Sequence, residues 1–278
     1  MKGKFYWKGM IKIKLNNFYI CESVEFMKEN IPDNFIDLTI TSPPYDNLRT
    51  YKGFTWNFEE MAKELYRVTK DGGVIVWIIG DATINGSETG TSFKQALYFK
   101  EIGFNLHDTM IYEKAGTGAC GSNKAYWQAF EYMFIFTKGK IKTFNLIEDV
   151  PNLSAGKIKT NSSRRKKNGE FKNETRNPAK QFSRRTNIWR CPVGVDVKRD
   201  PILKQHPAIF PESLINDHII TWSNEGDIIL DPMCGSGTTC KMAWLNKRNF
   251  IGIDISEEYI NEICIPRLQQ YGWSNDLN

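Results

Sequence analysis

The chain has 278 residues, of which 41% are hydrophobic and 25% charged, values that are ordinary for a globular protein. This length allows one large core and a modest insertion, because single cores stop growing at about 250–300 residues. No apolar run approaches the roughly 18 residues of a membrane helix, and residues 1–14 lack the apolar segment of a secretory signal, so we expect a cytoplasmic protein.

The cysteines are scattered, without a C-x-x-C pair, and the chain has only three histidines. Structural zinc sites and disulfide frameworks both need characteristic ligand or cysteine spacings, which are absent here. We therefore expect no bound metal. The sequence predicts reduced thiols that mostly fill the core, at Cys21, Cys120, Cys191, Cys234, Cys240 and Cys264.

The net charge of +5 is unevenly distributed along the chain. Between Lys157 and Arg190 twelve Lys and Arg residues stand against two Glu, a local charge of +10. The remaining 25 basic and 30 acidic residues leave the rest of the chain at −5. Such a block fits a phosphate backbone, whose neutralisation releases counterions. The alternative is a solvated, flexible segment.

Short β-branched runs that open into loops predict buried strands, with helical stretches between them. The predicted strands are Phe35–Thr41, Gly73–Gly80, Asp227–Leu230 and Asn249–Asp254. The predicted helices are Phe58–Thr69, Glu212–Trp222 and Cys240–Asn246. This alternation is typical of a parallel sheet covered on both faces, and it predicts an α/β doubly wound fold.

Two further apolar stretches, Gly103–Tyr112 and Tyr126–Thr137, predict an antiparallel pair across the loop Gly116–Asn123. Residues 140–201 then interrupt the alternation with Asn, Ser, Lys and Gly in place of periodic apolar residues. We interpret them as an inserted basic region. Residues 1–139 and 202–278 would form the two halves of one domain.

A glycine loop, Asp231–Thr239, follows the third predicted strand. Gly235 and Gly237 allow the backbone to approach a ligand, and the following helix offers unpaired N–H groups. The loop matches neither a P-loop nor a dinucleotide fingerprint, because Cys240 occupies a required glycine position in both. Asp254, at the tip of the next strand, suits both hydroxyls of a ribose, so the predicted ligand is a nucleoside without a polyphosphate. The alternatives are a helix cap for Asp231 and an exposed strand end for Asp254.

The segment Ser42-Pro43-Pro44-Tyr45 follows the first predicted strand. Consecutive prolines fix an extended backbone and remove two N–H donors. Ser42 Oγ and a proline carbonyl would accept the two hydrogens of an amino group, while Tyr45 would stack on a planar base. Such acceptors would draw the nitrogen lone pair out of conjugation. A Pro-Pro pair on its own is more often an ordinary turn.

Five segments follow one another in an order that resembles a known family. They are TSPPY at 41–45, the basic region near 140–200, HPAIFPE at 206–212, DPMCGSGTT at 231–239 and FIGIDIS at 250–256. Over roughly residues 15–270 the chain resembles the DNA amino methyltransferases of cytosine N4 and adenine N6, specifically their permuted β group. The resemblance implies a circularly permuted, Rossmann-like methyltransferase fold with an inserted target-recognition region and S-adenosylmethionine as cofactor.

The resemblance also implies residue roles. Ser42 and Pro43, followed by Pro44, would bind the target amino group, and Tyr45 would stack on the flipped base. The implied cofactor residues are Glu22, His206, Phe210, Asp231, Pro232, Cys234, Gly235, Ser236, Gly237, Thr238, Thr239 and Asp254. The chain departs from the family at Cys21-Glu22-Ser23, where Gly-Asp-Cys is usual, and Glu22 would replace that Asp with a longer side chain.

DNA binding is expected from the basic region and from the loop after the catalytic segment. Aromatic residues among arginines serve stacking and phosphate binding alike. The candidates are Arg49, Tyr51, Lys52, Arg164, Arg165, Arg184, Arg185, Trp189 and Arg190. The alternatives are a Trp189 that anchors the insertion to the core and an ordinary polar connection at 46–54.

Ser42 favours cytosine N4 as the target, with adenine N6 as the alternative. The expected partners are double-stranded DNA and a cognate restriction endonuclease, for a monomer or homodimer. RNA and protein-glutamine methyltransferases normally have the cofactor loop first, whereas it comes last here. A DNA-binding module without catalysis is disfavoured by the intact TSPPY and GSGTT segments.

Overall fold

A computed structural model describes residues 5–8, 11–44, 56–115, 126–158, 162–174, 177–193, 200, 202–203 and 209–274. The chain divides into two compact units. The main unit takes Met1–Asn145 and Asn187–Asn278, and the second unit takes Leu146–Thr186. No helix in the described ranges is long and apolar enough to span a membrane.

The strands and helices of both units follow one another along the chain. In chain order the strands are β1 (Phe5–Lys8), β2 (Ile11–Lys14), β3 (Asn17–Ile20), β4 (Ile36–Thr41), β5 (Thr69–Ile79), β6 (Thr83–Ile84), β7 (Ser87–Glu88), β8 (Asn105–Ala115), β9 (Phe130–Thr137), β10 (Val150–Pro151), β11 (Ser162–Arg165), β12 (Phe171–Glu174), β13 (Phe182–Ser183), β14 (Ile188–Pro192), β15 (Ile228–Asp231) and β16 (Asn249–Asp254). The helices are α1 (Ser23–Asn30), α2 (Phe58–Val68), α3 (Thr91–Glu101), α4 (Glu212–Trp222), α5 (Thr238–Leu245), α6 (Glu257–Tyr259) and α7 (Ile265–Gln269). A π-helical turn, Ile260–Cys264, joins α6 to α7, and the three together are called the terminal helix below.

The main sheet has eight strands in the order β14-β8-β9-β5-β4-β15-β16-β3. Every neighbouring pair is parallel except β8–β9 and β9–β5, so β9 alone runs against the other strands. The sheet is therefore mixed and mostly parallel. The predicted antiparallel pair is confirmed as β8 and β9.

Helices cover both faces of this sheet. Alternate residues of β5, Ile75, Trp77 and Ile79, share one buried cluster with α1, α2 and α3. On the other face α4 contacts β4, and α5 contacts β15 and β16. Parallel strands buried on both sides explain the continuous apolar runs in the sequence. The α/β architecture predicted from those runs is confirmed.

The second unit contains two small antiparallel pairs, β10 with β13 and β11 with β12. None of its described residues is buried. The predicted basic region, 140–201, is wider than this unit. It includes β14, which is a strand of the main sheet and pairs with β8.

Candidate active site

The predicted loops lie together at one edge of the main sheet. Parallel strands β4, β15 and β16 end at this edge, at Thr41, Asp231 and Asp254. Thr239, in the first turn of α5, donates from Oγ1 to the carbonyl of Ile40 in β4 at 3.5 Å. The Ser-Pro-Pro segment and the glycine loop therefore leave neighbouring strands side by side, as open α/β sheets place their ligand sites.

The Ser-Pro-Pro segment starts directly after Thr41, which is fully buried. Pro43 is buried, whereas Ser42 and Pro44 are partly exposed. Part of Ser42 is therefore accessible to a ligand. Tyr45, Arg49, Tyr51 and Lys52 fall outside the described residues, and so does His206.

Asp231 organises the start of the glycine loop. Its side chain is 4% exposed and accepts the backbone N–H of Met233 at 3.2 Å. Burial raises the pKa of this carboxyl to about 6, although the hydroxyls of Thr239 and Thr41 favour the charged form. Asp231 therefore faces the protein and holds the start of the loop, but it does not cap α5, whose N-cap is Gly237 without a side-chain hydrogen bond.

Asp254 shapes the same loop from the next strand. Its Oδ2 accepts the Gly235 N–H at 2.8 Å, and its Oδ1 accepts the Ser256 N–H at 2.9 Å. Burial raises the pKa of the Asp254 carboxyl. Asp254 is partly exposed, unlike Asp231, so part of the residue faces the solvent.

The glycine loop turns its side chains inward. Cys234, Ser236, Thr238 and Thr239 are only 1–5% exposed, so their side chains pack within the protein. Gly235 is partly exposed. Gly237 has a left-handed φ of 71° and donates its N–H to the Cys234 carbonyl at 2.7 Å. Pro232 is buried as well, and its carbonyl accepts a hydrogen bond from Ser23 Oγ.

The end of β3 borders Asp254. Ile20 pairs in register with Asp254, and the Cys21 N–H donates to the Asp254 carbonyl at 3.1 Å. Glu22 is the N-cap of α1 and accepts the Glu25 N–H at 2.7 Å, so its carboxylate has a structural partner. Phe210, also predicted as a cofactor residue, is partly exposed just before Pro211, the N-cap of α4.

Sequence reasoning missed two apolar side chains at this edge. Ile20 is 46% exposed and Ile255 is 42% exposed, on either side of the Asp254 position. Exposed isoleucines beside a half-buried carboxylate offer an apolar surface for a purine ring and acceptors for a ribose. Ile255 directly follows the strand-ending Asp254, whereas Ile20 is itself the last residue of β3.

Sequence reasoning also missed Arg267 of α7. This side chain is fully buried, and its guanidinium donates to the Ser236 carbonyl inside the glycine loop. No motif marks the residue, since its partners come from distant parts of the chain.

The predicted DNA contacts are found in different settings. The ring of Trp189 is 7% exposed and its centroid lies 4.6 Å from that of His218, so it is not accessible to a base. This supports the alternative that Trp189 anchors the chain to the core.

The predicted arginines differ in their surroundings. Arg190 is exposed, and its Nε lies 3.6 Å from Glu113 Oε1. In the second unit Arg184 is exposed, and Arg185 Nε donates to Asp149 Oδ1 at 2.9 Å. Arg164 and Arg165 belong to β11, and their side chains are not described.

Comparison with known proteins identifies the family. Residues 36–264 match the DNA methylase family of N6 and N4 methyltransferases. The chain belongs to this family. It is an S-adenosylmethionine-dependent DNA methyltransferase that acts on amino groups. The sequence-based identification of the family, the enzyme class and the cofactor is confirmed.

Curated relatives cover most of the chain. It is 58% identical over 248 residues to the orphan methyltransferase M.BamHII of Bacillus amyloliquefaciens, covering 88% of this chain and 93% of the relative. It is 30% identical over 262 residues to the type II methyltransferase M.HpaI of Haemophilus parainfluenzae, covering 90% of this chain and 73% of the relative.

Solved structures share the fold. The PvuII DNA methyltransferase (cytosine-N4-specific) aligns with a TM-score of 0.64 at 18% identity, over 94% of this chain and 88% of its own. M1.HpyAVI in complex with S-adenosylmethionine aligns with a TM-score of 0.61 at 21% identity, over 91% of this chain and 98% of its own.

Proposed function

We propose that the protein is a site-specific DNA methyltransferase that transfers a methyl group to the N4 amino group of cytosine. The observation that carries this proposal is the accessible Ser42, which leaves β4 beside the glycine loop of β15. In the family, Ser at the first position of this motif favours cytosine N4, and Asp favours adenine N6.

In this proposal residues 231–239 and Asp254 hold the cofactor. S-adenosylmethionine supplies the electrophilic methyl group when it is bound. Both Asp254 oxygens accept backbone N–H groups, and the carboxylate has about four lone-pair sites, which would leave an acceptor for a ribose hydroxyl. Ile20 and Ile255 would flank the adenine ring. Gly235 would contact the cofactor through its backbone, with Phe210 and His206 on the methionine side and Glu22 near the adenine.

Ser42 Oγ and the Pro43 carbonyl would accept the two hydrogens of the target amino group and orient its lone pair. Tyr45 would stack on the base after it has left the duplex, which costs a few kcal/mol of lost pairing and stacking. Base–aromatic stacking with Tyr45 would offset about 1–3 kcal/mol of that cost. Orientation and hydrogen-bond acceptors would supply most of the catalysis, without a general base, and the methylated nitrogen would release its proton to solvent.

The second unit is the proposed target-recognition region of a circularly permuted methyltransferase. It lies between the catalytic segment and the cofactor loop in the sequence and contains most of the +10 segment. Arg164, Arg165, Arg184 and Arg185 would contact phosphates or bases, with Arg190 at its border. Duplex DNA is the proposed form of the substrate, while a partner endonuclease and the oligomeric state stay predictions.

Adenine N6 is the second candidate, because both bases present the same exocyclic amine. The chain is 29% identical over 243 residues to the DNA adenine methyltransferase YhdJ of Escherichia coli, covering 84% of this chain. To separate the two, plasmid DNA incubated with protein and S-adenosylmethionine is digested to nucleosides and analysed by mass spectrometry. We expect N4-methylcytosine. N6-methyladenine would support the alternative, and neither product from a protein that binds the cofactor would overturn the proposal.

Replacing Ser42 tests the catalytic role directly. We expect Ser42→Ala to lower the single-turnover rate of methyl transfer about 100-fold or more, because an acceptor aimed at the reacting group is lost. Cofactor affinity, measured by calorimetry, should stay unchanged. Ser87→Ala is the matched control, since Ser87 is exposed in the β6–β7 hairpin. Full activity of Ser42→Ala would remove Ser42 from the mechanism.

A further inference from the structure

Arg267 lies behind the glycine loop and contacts it directly. The side chain is 0% exposed, and its Nη1 donates to the Ser236 carbonyl and, at 3.3 Å, to Thr238 Oγ1. Burying a guanidinium is costly unless partners satisfy its charge and its donors. The loop therefore contains two of the groups that make this burial tolerable.

Two carboxylates balance the charge of Arg267. Glu212, the first residue of α4, accepts from Arg267 Nη2 at 2.7 Å, and Asp200 lies 3.3 Å from Arg267 Nε. Glu212 also accepts from Lys241 of α5 at 2.6 Å, and Lys241 is 3% exposed. These four residues form a charge-balanced cluster. It ties α4, α5 and the terminal helix to the loop.

The rest of the loop is fixed from the other side. Gly235 is held by Asp254 through its N–H, and its carbonyl accepts from Cys264 Sγ at 3.1 Å. Ser236 follows Gly235 and precedes Gly237, whose left-handed φ only glycine adopts readily. A short segment flanked by glycines needs an external contact to stay in one conformation, and Arg267 provides it at the Ser236 carbonyl.

We propose that Arg267 is a positioning residue for the cofactor. It holds the Ser236 and Thr238 part of the loop in the binding conformation before the cofactor arrives, and Glu212 orients its guanidinium. Preorganisation of this kind raises affinity because the loop pays no ordering cost on binding. The inference rests on the proposed assignment of residues 231–239 to S-adenosylmethionine.

Arg267→Lys is the first test. Lysine keeps the charge but has its three donors on one nitrogen, so it cannot reach Glu212, Ser236 and Thr238 together. We expect the Kd for S-adenosylhomocysteine, measured by calorimetry without DNA, to rise about tenfold, the effect of one charge-assisted hydrogen bond. At saturating cofactor kcat should stay within about twofold. Hydrogen exchange of the Gly235–Thr238 amides should become faster.

Arg67→Lys is the matched control. Arg67, on α2, donates to the carbonyls of Met27 at 2.7 Å and Ile31 at 2.8 Å and pairs with Glu64. Its guanidinium therefore makes contacts of the same kinds as that of Arg267, although its side chain is 28% exposed. It packs with α1 on the face of the sheet opposite α4 and α5. We expect this variant to lose thermal stability with no change in cofactor Kd or in hydrogen exchange of the loop.

Glu212→Gln provides a second variant if Arg267→Lys does not fold. It keeps the shape of the side chain and removes the charge that orients Arg267, and we expect its cofactor Kd to rise as well. A folded Arg267→Lys or Glu212→Gln protein with the wild-type Kd would overturn the inference. Failure of the unaltered protein to bind the cofactor would reject the assignment of the loop itself, and the inference with it.

Discussion

Gly237 shows how a single backbone position constrains the glycine loop. Its φ of 71° is left-handed, and an added Cβ would lie 2.9 Å from Cys264 Sγ. Gly237→Ala therefore combines a conformational cost of about 1–2 kcal/mol with a steric overlap in the loop. We expect a lower free energy of unfolding, measured with urea, and weaker binding of S-adenosylhomocysteine, measured by calorimetry.

Gly226 offers the control for that substitution. Its φ of 88° carries the same conformational cost, but a Cβ there meets no atom within 4 Å. Gly226→Ala should lower the free energy of unfolding only by the cost of the left-handed φ, and it should leave cofactor binding unchanged. If both variants weaken cofactor binding equally, the contact with Cys264 does not matter for the loop.

At the residue scale, sequence reasoning located loop positions better than it assigned side chains. It placed Asp231 and Asp254 at strand ends because acidic residues followed β-branched runs, and both lie there. The burial of Asp231 and the backbone contacts of Asp254 depend on residues far away in the sequence. The same holds for Arg267, whose partners Asp200, Glu212 and Ser236 have no common spacing that a motif would show.

At the element scale, long and strongly patterned segments were the predictable ones. The bounds of α4 and β16 agree with the prediction to the residue. The edge strands β3 and β14 were not predicted, because each is short; β14 alternates in burial, but its exposed Ile188 hides that alternation in the sequence. β14 also lies within the basic region, where composition indicated an insertion, and only its pairing with β8 reveals that it belongs to the main sheet.

α4 contains a buried histidine that makes stability depend on pH. His218 is fully buried, its Nδ1 accepts from Trp222 Nε1 at 3.1 Å, and its Nε2 lies 3.1 Å from Met133 Sδ. Burial lowers the pKa of His218 to about 3, so the folded protein keeps it neutral while the unfolded chain protonates it near pH 6.5. Its contribution is complete above pH 6.5 and is lost as the pH falls towards 3.

We expect the free energy of unfolding of the wild type to fall by about 2 kcal/mol more than that of His218→Gln between pH 7.5 and pH 5. Glutamine keeps an acceptor for Trp222 but does not titrate. Urea unfolding at the two pH values measures the difference. His107→Gln, at an exposed position on β8, should keep the pH dependence of the wild type. Equal pH dependence in wild type and His218→Gln would contradict a neutral, buried His218.

At the scale of the whole molecule, stability and charge are divided between the two units. The main unit has the buried core, whereas the described part of the second unit has no buried residue. Units of this size rarely bury enough apolar surface on their own. Ion pairs such as Lys180–Glu148, at 2.8 Å, and the pairing of β10 with β13 hold it locally. The described part of the second unit therefore presents a charged surface and has no hydrophobic core.

If the second unit binds DNA, the position of the positive charges should affect DNA binding more than the net charge of the protein does. Replacing Lys166, Lys167 and Arg184 with Gln removes three exposed positive charges from the second unit and lowers the net charge from +5 to +2. Replacing Lys63, Lys94 and Lys100, exposed on α2 and α3, produces the same net charge. Each phosphate contact contributes about 0.9 to the slope of log K against log salt concentration. That slope is negative, and we expect the first triple variant to lower its magnitude by up to about 2.7, measured by fluorescence anisotropy with duplex DNA, and the second to leave it unchanged. Equal slopes for the two variants would mean that DNA responds to the overall charge and that the second unit does not contact the phosphates.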